Sequence, residues 1–559
     1  MVNFLPRSIE CLRGYTLSTF ARDAVAGVTV ALVAIPLAMA FAIASGVPPQ
    51  AGLYTAVVAG FIISALGGSR VQIGGPTGAF VVIIAGIVAR FGMSGLALVG
   101  IMAGVILVVL GVTGLGSAVK FIPRPVIIGF TNGIAVLIAS TQIKDFFGLT
   151  VSNVPGDFIG RLVVLARHIG TASWPAFSIA VLSLATIVFW SRVTKRIPGS
   201  IVTLVLATLS VAAFHLPVAT IGSAFGGIPQ GFPPFAIPSL HANTIVALLP
   251  SALTVAFLAA VESLLSAVVA DGMSGDRHKS NLELVAQGIA NIASPLFGGI
   301  PATGAIARTA TNIRSGGTTP VAGMIHAVVL LIVLLVAAPL ARFIPLAALA
   351  AVLMVVAYHM GAWHEIAGIV RLSKADIAVW LTTFLLTAFA DLTTAVGVGI
   401  ALAALLYIYR IAETTTVTTL TPAHLEDGKI HDLGRQVIPP NVSIVRIQGP
   451  FLFGTTEKLE AATEDVDQFG HVVILRLRNM QAIDATGVHA LEQVTERLRR
   501  SGRYVLLCGA RDQPMRVLLG STYLKHLGAD NLLTDIESAL ARAEHLNALK
   551  GPTALKPII

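Results

Sequence analysis

Charged residues are scarce in this chain: 12% of its 559 residues are Asp, Glu, Lys or Arg, 55% are hydrophobic, and the mean hydropathy is +0.84. A composition so poor in charge excludes an ordinary soluble domain for most of the length and points to repeated membrane crossing. Cysteine is nearly absent. With only Cys11 and Cys508 present, no disulfide framework is available. Catalytic motifs are missing as well: there is no nucleophile elbow, no HExxH and no dinucleotide fingerprint in a strand context, so neither an enzyme nor a cofactor is expected. His215, His241, His326, His359 and His364 lie scattered without ligand spacing, and no metal site is expected. The stretch Asp271-Gly-Met-Ser-Gly-Asp-Arg-His-Lys279 has the spacing of neither a calcium loop nor a P-loop and reads as a solvated turn.

The few charges are unevenly placed. Residues 1–413 hold 21 Lys and Arg against 12 Asp and Glu, whereas residues 414–559 hold 16 of each. The basic excess therefore falls in short loops between apolar spans, where it sets topology, and not on a nucleic-acid surface. Placing the N-terminus inside puts Lys120/Arg124, Arg192/Lys195/Arg196, Arg277/Lys279, Arg371/Lys374 and Arg410 on the cytoplasmic side, which predicts that both termini are cytoplasmic. Glu10, Arg13, Arg22 and Asp23 precede the first apolar span, which shows no small-residue cleavage site, so no cleaved signal peptide is expected.

Apolar segments are what the chain has in abundance. From Ala24 to Ser69 no residue is formally charged, enough for two passages turning at Gly46-Val-Pro-Pro49, with Pro36 loosening the first. Further segments cover 76–89, 95–117, 126–142, 176–191, 200–215, 244–269, 283–297, 303–313, 320–340, 346–361, 376–390 and 394–410. The fold class is a polytopic α-helical membrane domain of about 14 segments. After Arg410 the composition turns to that of a soluble α/β domain, through the Thr-rich Glu413-Thr-Thr-Thr-Val-Thr-Thr419. Strands are predicted at 442–447 and 472–477 and a helix at 488–500.

Two glycine- and proline-punctuated runs interrupt the apolar segments. Gly298-Gly-Ile-Pro-Ala-Thr-Gly-Ala-Ile-Ala-Arg308 is echoed by Gly74-Gly-Pro-Thr-Gly-Ala-Phe80. Either run alone is accounted for by close helix packing. As a matched pair they predict two broken helices in corresponding halves, the arrangement that marks a transporter's substrate site. Helix N-termini at membrane depth leave backbone N–H groups unpaired, and these suit an anion. Glu262 is the other signal. It is the only formally charged residue between Arg196 and Asp271, and nine positions before Asp271 place it about 13 Å along a helix, near mid-membrane. A carboxylate there is costly and by default functional, and its neutral form is favoured, so proton exchange is expected of it. Ser266 lies one turn on, on the same face. A structural glutamate bonded to backbone is the alternative.

Pro49-Gln-Ala-Gly-Leu-Tyr54, Phe61-Ile-Ile63 and Gly67-Gly-Ser-Arg70 together resemble the signature of the SulP sulfate and anion permeases, with Ala51 where the family usually has an aromatic residue. The resemblance covers essentially the whole chain. It implies a 7+7 inverted repeat with core and gate subdomains, a homodimer, and a C-terminal cytoplasmic α/β STAS domain. The broken helices become the third and tenth segments. Phe41 matches the aromatic that lines the pocket, while Leu37 stands where a glutamine is common. Thr77 and Gly78 match the third segment's substrate-facing positions, and Gly304, Ala305, Ile306 and Ala307 the tenth's; Arg308 matches a basic residue of the family, or is simply a topology arginine. Since proton-coupled relatives carry glutamate and sodium-coupled ones aspartate, Glu262 and Ser266 are expected to couple protons.

Ile483-Asp-Ala-Thr-Gly-Val-His-Ala-Leu491 resembles the STAS signature loop, where Thr486 is either a regulatory phosphorylation site or a helix cap. The expected organisation is a cytoplasmic N-terminus (1–21), a transport domain (22–411), a linker (412–440), a STAS domain (441–550) and a tail (551–559). The function implied is secondary active uptake of sulfate or a C4-dicarboxylate by an elevator-like movement in a bacterial inner membrane. Ala34-Ile-Pro-Leu-Ala-Met-Ala40 and Gln142-Ile-Lys-Asp145 are similar to the wording of dicarboxylate carriers of this family. Bicarbonate or chloride exchange is the alternative within transport, and a membrane scaffold with a STAS partner the alternative outside it.

Overall fold

The computed structural model describes residues 5–116, 123–151, 154–194, 198–238, 242–371, 373–390, 392–420 and 438–548. Lys120, Lys195, Arg196 and His241, and the linker over 421–437, lie outside the described residues. The chain divides into two compact units, Met1–Ala403 and Ala404–Ile559.

In the first unit a short helix α1 (Arg7–Leu12) precedes α2 (Leu17–Ala44) and α3 (Pro49–Leu66). Pro36 lies inside α2 without ending it, and Pro49 takes the first position of α3, where its missing N–H costs nothing. The two-residue strand β1 (Gly74–Gly75) leads through a 3₁₀ turn, Gly78–Phe80, into α4 (Val81–Val112). Gly92, at φ 66° and ψ −171°, breaks α4 into two arms, so that the third and fourth predicted segments are an apolar pair around one glycine. There follow α5 (Arg124–Phe147), α6 (Phe158–Arg167), α7 (Trp174–Val193), α8 (Gly199–Ala213) and α9 (Ile221–Phe225).

The second half repeats the order: α10 (Ala242–Ser274), α11 (Ser280–Leu296), strand β2 (Thr303–Gly304), α12 (Ile306–Arg314), α13 (Pro320–Val336), α14 (Leu346–Met360), α15 (Trp363–Val370), α16 (Lys374–Phe389) and α17 (Leu392–Thr414). In each half two long helices precede a short strand and a helix that starts within the bundle. Among the described residues, seven helices are long and apolar enough to span a membrane alone. The short helices α6, α9 and α15 escape the apolar-window reading because each is too brief to cross.

The second unit starts inside α17. Its sheet has the order β3-β4-β5-β6-β7, with β3 (Thr416–Leu420) antiparallel to β4 (Val442–Phe451) and the parallel strands β5 (Val472–Ile483), β6 (Tyr504–Cys508) and β7 (Leu532–Leu533) beyond it. Helices α18 (Thr456–Ala462), α19 (Ala485–Arg500), α20 (Asp512–Gly520), α21 (Tyr523–Leu527) and α22 (Ile536–Ala548) cover it. One expectation is corrected here. The Thr-rich stretch expected as linker contains β3, because alternating β-branched residues pair well with a sheet edge, Val417 opposite Ile447 and Leu420 opposite Ile444.

Candidate functional site

The two punctuated runs meet. β1 and β2 pair antiparallel, Gly74 opposite Gly304 and Gly75 opposite Thr303, and Ala305 N–H donates to Ile73 O at 2.8 Å. Extended backbone inside a membrane domain must find partners within the protein, and side chains of neighbouring helices supply them. Thr55 Oγ1 accepts from Ile300 N at 2.7 Å, and Asn291 both accepts from Ala302 N (2.9 Å) and donates to Ala302 O (2.8 Å). On the other strand Thr309 Oγ1 accepts from Ile73 N at 3.0 Å and Asn312 Nδ2 donates to Val71 O at 2.8 Å. The extended segments that break the helices are therefore built features with backbone partners, not defects of packing.

Each strand then delivers a helix start into the bundle. Thr77 precedes the Gly78–Phe80 turn and Ala305 precedes α12, and neither helix start has a side-chain cap. Threonine commonly caps such an end, but Thr77 instead turns its hydroxyl outward and donates to Glu262 Oε2 at 2.7 Å. The first backbone N–H groups of both helices are left for something else, with the positive ends of the helix dipoles behind them. Gly78 faces Ile138, Met360 and Phe41, whose nearest atoms lie 3.0 to 3.2 Å from where a Cβ would stand. Phe41 is buried, as are Thr77 and Ala305, whereas Ile306 and Ala307 are exposed at the opening of α12. Beside the first helix start, Glu262 lines a cavity of about 30 Å³ with Ala79, Phe130, Thr131, Ile134 and Met360. That space is small, of the order of one to a few waters.

Several expected roles change in detail. Arg308 is not a surface topology residue: it is 2% exposed, and its Nη2 donates to Pro76 O, tying α12 to the residue before Thr77. The glycine at 304 also meets a packing constraint, since a Cβ there would stand 1.9 Å from Gln72 Nε2. Gln72 Nε2 in turn donates to Ser263 Oγ at 2.9 Å. Ser266 is buried and faces Thr309 Oγ1 at 3.4 Å, so the hydroxyl bonded to Glu262 is that of Thr77. In the second unit Asp484, not Thr486, caps α19 by accepting from Gly487 N at 2.8 Å, and Thr486 is exposed in the first turn. The Asp271–Lys279 turn is closed by Asp271 and His278 at 2.7 Å, and no metal-holding cluster occurs among the described residues.

The sequence reading passed over a second buried carboxylate. Glu283 is wholly buried, and its Oε2 accepts from Gly68 N (2.8 Å) and Ser69 N (3.2 Å) while its Oε1 accepts from Gln287 Nε2 (3.0 Å). It fastens the loop after α3 to the first turn of α11. The signal was legible: Glu283, Gln287, Asn291 and Ser294 are spaced four, four and three along α11, a polar stripe on one face of an apolar helix. Asp23 is similarly buried. Its Oδ1 accepts from Thr318 N (2.9 Å) and Thr319 N (3.3 Å), and Tyr15 and Thr319 hydroxyls bond Oδ2, so α2 supplies a remote cap for α13.

Comparison with known proteins bears on the same geometry. The family model described as the sulfate permease family matches residues 20–383, and that of the STAS domain matches residues 436–543. YvdB of Bacillus subtilis, named as a candidate sulfate transporter, is 44% identical over 516 residues, covering 92% of this chain and 96% of its own length. The bicarbonate transporter BicA of Picosynechococcus is 31% identical over 538 residues, covering 93% of this chain and 94% of its own. Murine Solute Carrier 26 family member A9 superposes with a TM-score of 0.86 at 20% identity, over 97% of this chain and 94% of that one, a likeness of fold. The two half-helices met by an antiparallel strand pair, the matching family models and the whole-length relatives agree: this chain belongs to the sulfate permease family, membrane anion transporters with a C-terminal STAS domain, and is not an enzyme.

Proposed function

We propose that the chain takes up sulfate or a C4-dicarboxylate together with protons, holding the anion at the uncapped N-termini of the two half-helices and the coupled proton on Glu262. The Thr77–Glu262 hydrogen bond carries this reading. The residue that opens the first half-helix donates to the carboxylate of α10 at 2.7 Å, so the anion's donors and the carboxylate are neighbours. A charged Glu262 repels an anion arriving there and a protonated one does not, so proton and anion each favour the other's binding. Arg308, buried next to Pro76, adds positive potential, and Ser266 completes the polar face of α10. Transport follows by movement of the half-helix hub, with α2, α3, α11 and α13, past the wall of α5 and α14. The same proposal includes a homodimer in a bacterial plasma membrane, both termini cytoplasmic, and a cytoplasmic partner for the STAS domain acting through Thr486.

Bicarbonate is the second reading, favoured by the BicA relatives at 31% and 33% identity and by the fact that backbone N–H groups serve any small anion; chloride exchange is kept with it. Uptake of labelled sulfate, succinate, bicarbonate and chloride by purified protein in liposomes, with and without proton and sodium gradients, separates the two. Acid should stimulate uptake and sodium should not. In Glu262→Gln the acid stimulation should vanish while exchange of bound anion persists. Full retention of the wild-type pH dependence would refute the proton role, and stimulation by sodium alone would move the assignment to bicarbonate.

A further inference from the structure

An apolar crevice of the first unit lies away from the half-helices. Its volume is about 520 Å³, and Met39 of α2, Leu53 of α3, Leu209 of α8 and Leu334 of α13 line it together with Ala341 and Phe343 of the turn after α13. Thr208 is the only lining residue with a polar side chain. A crevice so apolar does not hold the transported anion, which needs hydrogen-bond donors. It opens between α8 on one side and α2, α3 and α13 on the other. Thr208, Leu209 and Ala212 of α8 and Val333 and Leu334 of α13 lie in the C-terminal halves of helices that run outward when the positive-inside orientation is applied.

Between the lining residues Ala341 and Phe343 comes Arg342, exposed, not itself lining the crevice, its guanidinium 5.6 Å from the ring centroid of Phe343. No Asp or Glu occurs between Glu283 and Glu365, and Arg342 makes no ion pair among the described residues. An apolar slot with one unpaired cation beside its lining is complementary to a molecule with a long hydrocarbon tail and an anionic head. Size agrees: about 520 Å³ lies within the range of pockets that take an organic ligand. We propose that this crevice binds one glycerophospholipid of the surrounding bilayer, an acyl chain filling it and the phosphodiester meeting Arg342 through charge-assisted hydrogen bonds. The site stands whether or not the proton and anion assignments hold.

Native mass spectrometry of the full-length protein released from detergent, with palmitoyl-oleoyl phosphatidylglycerol, palmitoyl-oleoyl phosphatidylcholine or the corresponding diacylglycerol added at low ratio, tests it. The wild type should retain one phospholipid per protomer. Ala337→Trp and Ala341→Trp, at half-buried positions of the crevice, should lower retention at least about tenfold, and Arg342→Gln should weaken phospholipid by about tenfold without changing diacylglycerol. Thermal unfolding of each variant checks the fold, and Arg342→Gln, at an exposed position, remains informative where a tryptophan is not accommodated. Equal retention in wild type and all three variants, or a wild type that holds no phospholipid, overturns the proposal. Diacylglycerol held as tightly as phospholipid overturns the role of Arg342.

Discussion

Replacing Gly78 with alanine adds one carbon where the first half-helix opens. That Cβ would lie 3.0 Å from Ile138 Cδ1, 3.0 Å from Met360 Sδ and 3.2 Å from Phe41 Cε1, against a favourable carbon separation of about 3.5–4.0 Å. The neighbours must retreat by several tenths of an ångström. All three are ends of flexible side chains, so the helix itself tolerates the change. Crowding of this kind costs about 1–3 kcal/mol, and where an anion needs the same space the cost falls on binding, which should weaken roughly 5- to 150-fold. Calorimetric titration of the purified full-length variant with sulfate and with succinate reads this directly, and thermal unfolding should stay close to wild type. Gly304→Ala provides the contrast. Its Cβ would stand 1.9 Å from Gln72 Nε2 and break the Gln72–Ser263 hydrogen bond, so it should lower stability before it touches affinity. Unchanged affinity for every transported anion in Gly78→Ala would show that the anion does not sit at the half-helix ends.

Other consequences are open to measurement. Glu283→Gln leaves one amide oxygen and an NH₂ group where two oxygens faced Gly68 N, Ser69 N and Gln287, and should cost about 2–3 kcal/mol, read as a lower midpoint in detergent unfolding. Asp23→Asn should weaken the remote cap of α13 by about 1 kcal/mol and speed amide exchange at Thr318 and Thr319. In the STAS unit, hydrogen bonds from Ser538 N–H, then the Thr534 and Ser538 hydroxyls, hold the Asp535 carboxyl down to about 2, below its ordinary value of 3.8. A depressed carboxyl stabilises fully above its unfolded value and loses that contribution as pH falls through the folded one. Exchange protection of α22 should therefore hold at pH 5 and fade between about pH 4 and pH 2, and Asp535→Ala should show no such step.

Much of this protein was decided by sequence alone. Low charge and long apolar runs dictate a membrane bundle because each backbone group at that depth must be satisfied within its own helix, and the run lengths set where helices begin and end. The change after Arg410 marks the second unit, and the repeated Gly-Pro-Thr-Gly and Pro-Ala-Thr-Gly vocabulary marks the two helix starts. What periodicity could not supply was the partner of each polar residue. Asn312, Thr55 and Thr309 serve the extended backbone of the opposite repeat and Asn291 that of its own, and only the fold shows which strand each of them meets. Glu283 passed for the edge of an apolar segment because burial depends on which loop folds over it. Arg308 could be read either as a pocket residue or as a topology charge, because its partner, Pro76 O, lies in the other half of the chain. Thr77 and Glu262 were each visible, but that they touch is a fact of tertiary structure: a hydrogen bond between residues 185 positions apart leaves no local trace, since pattern reports neighbours along the chain and chemistry needs neighbours in space.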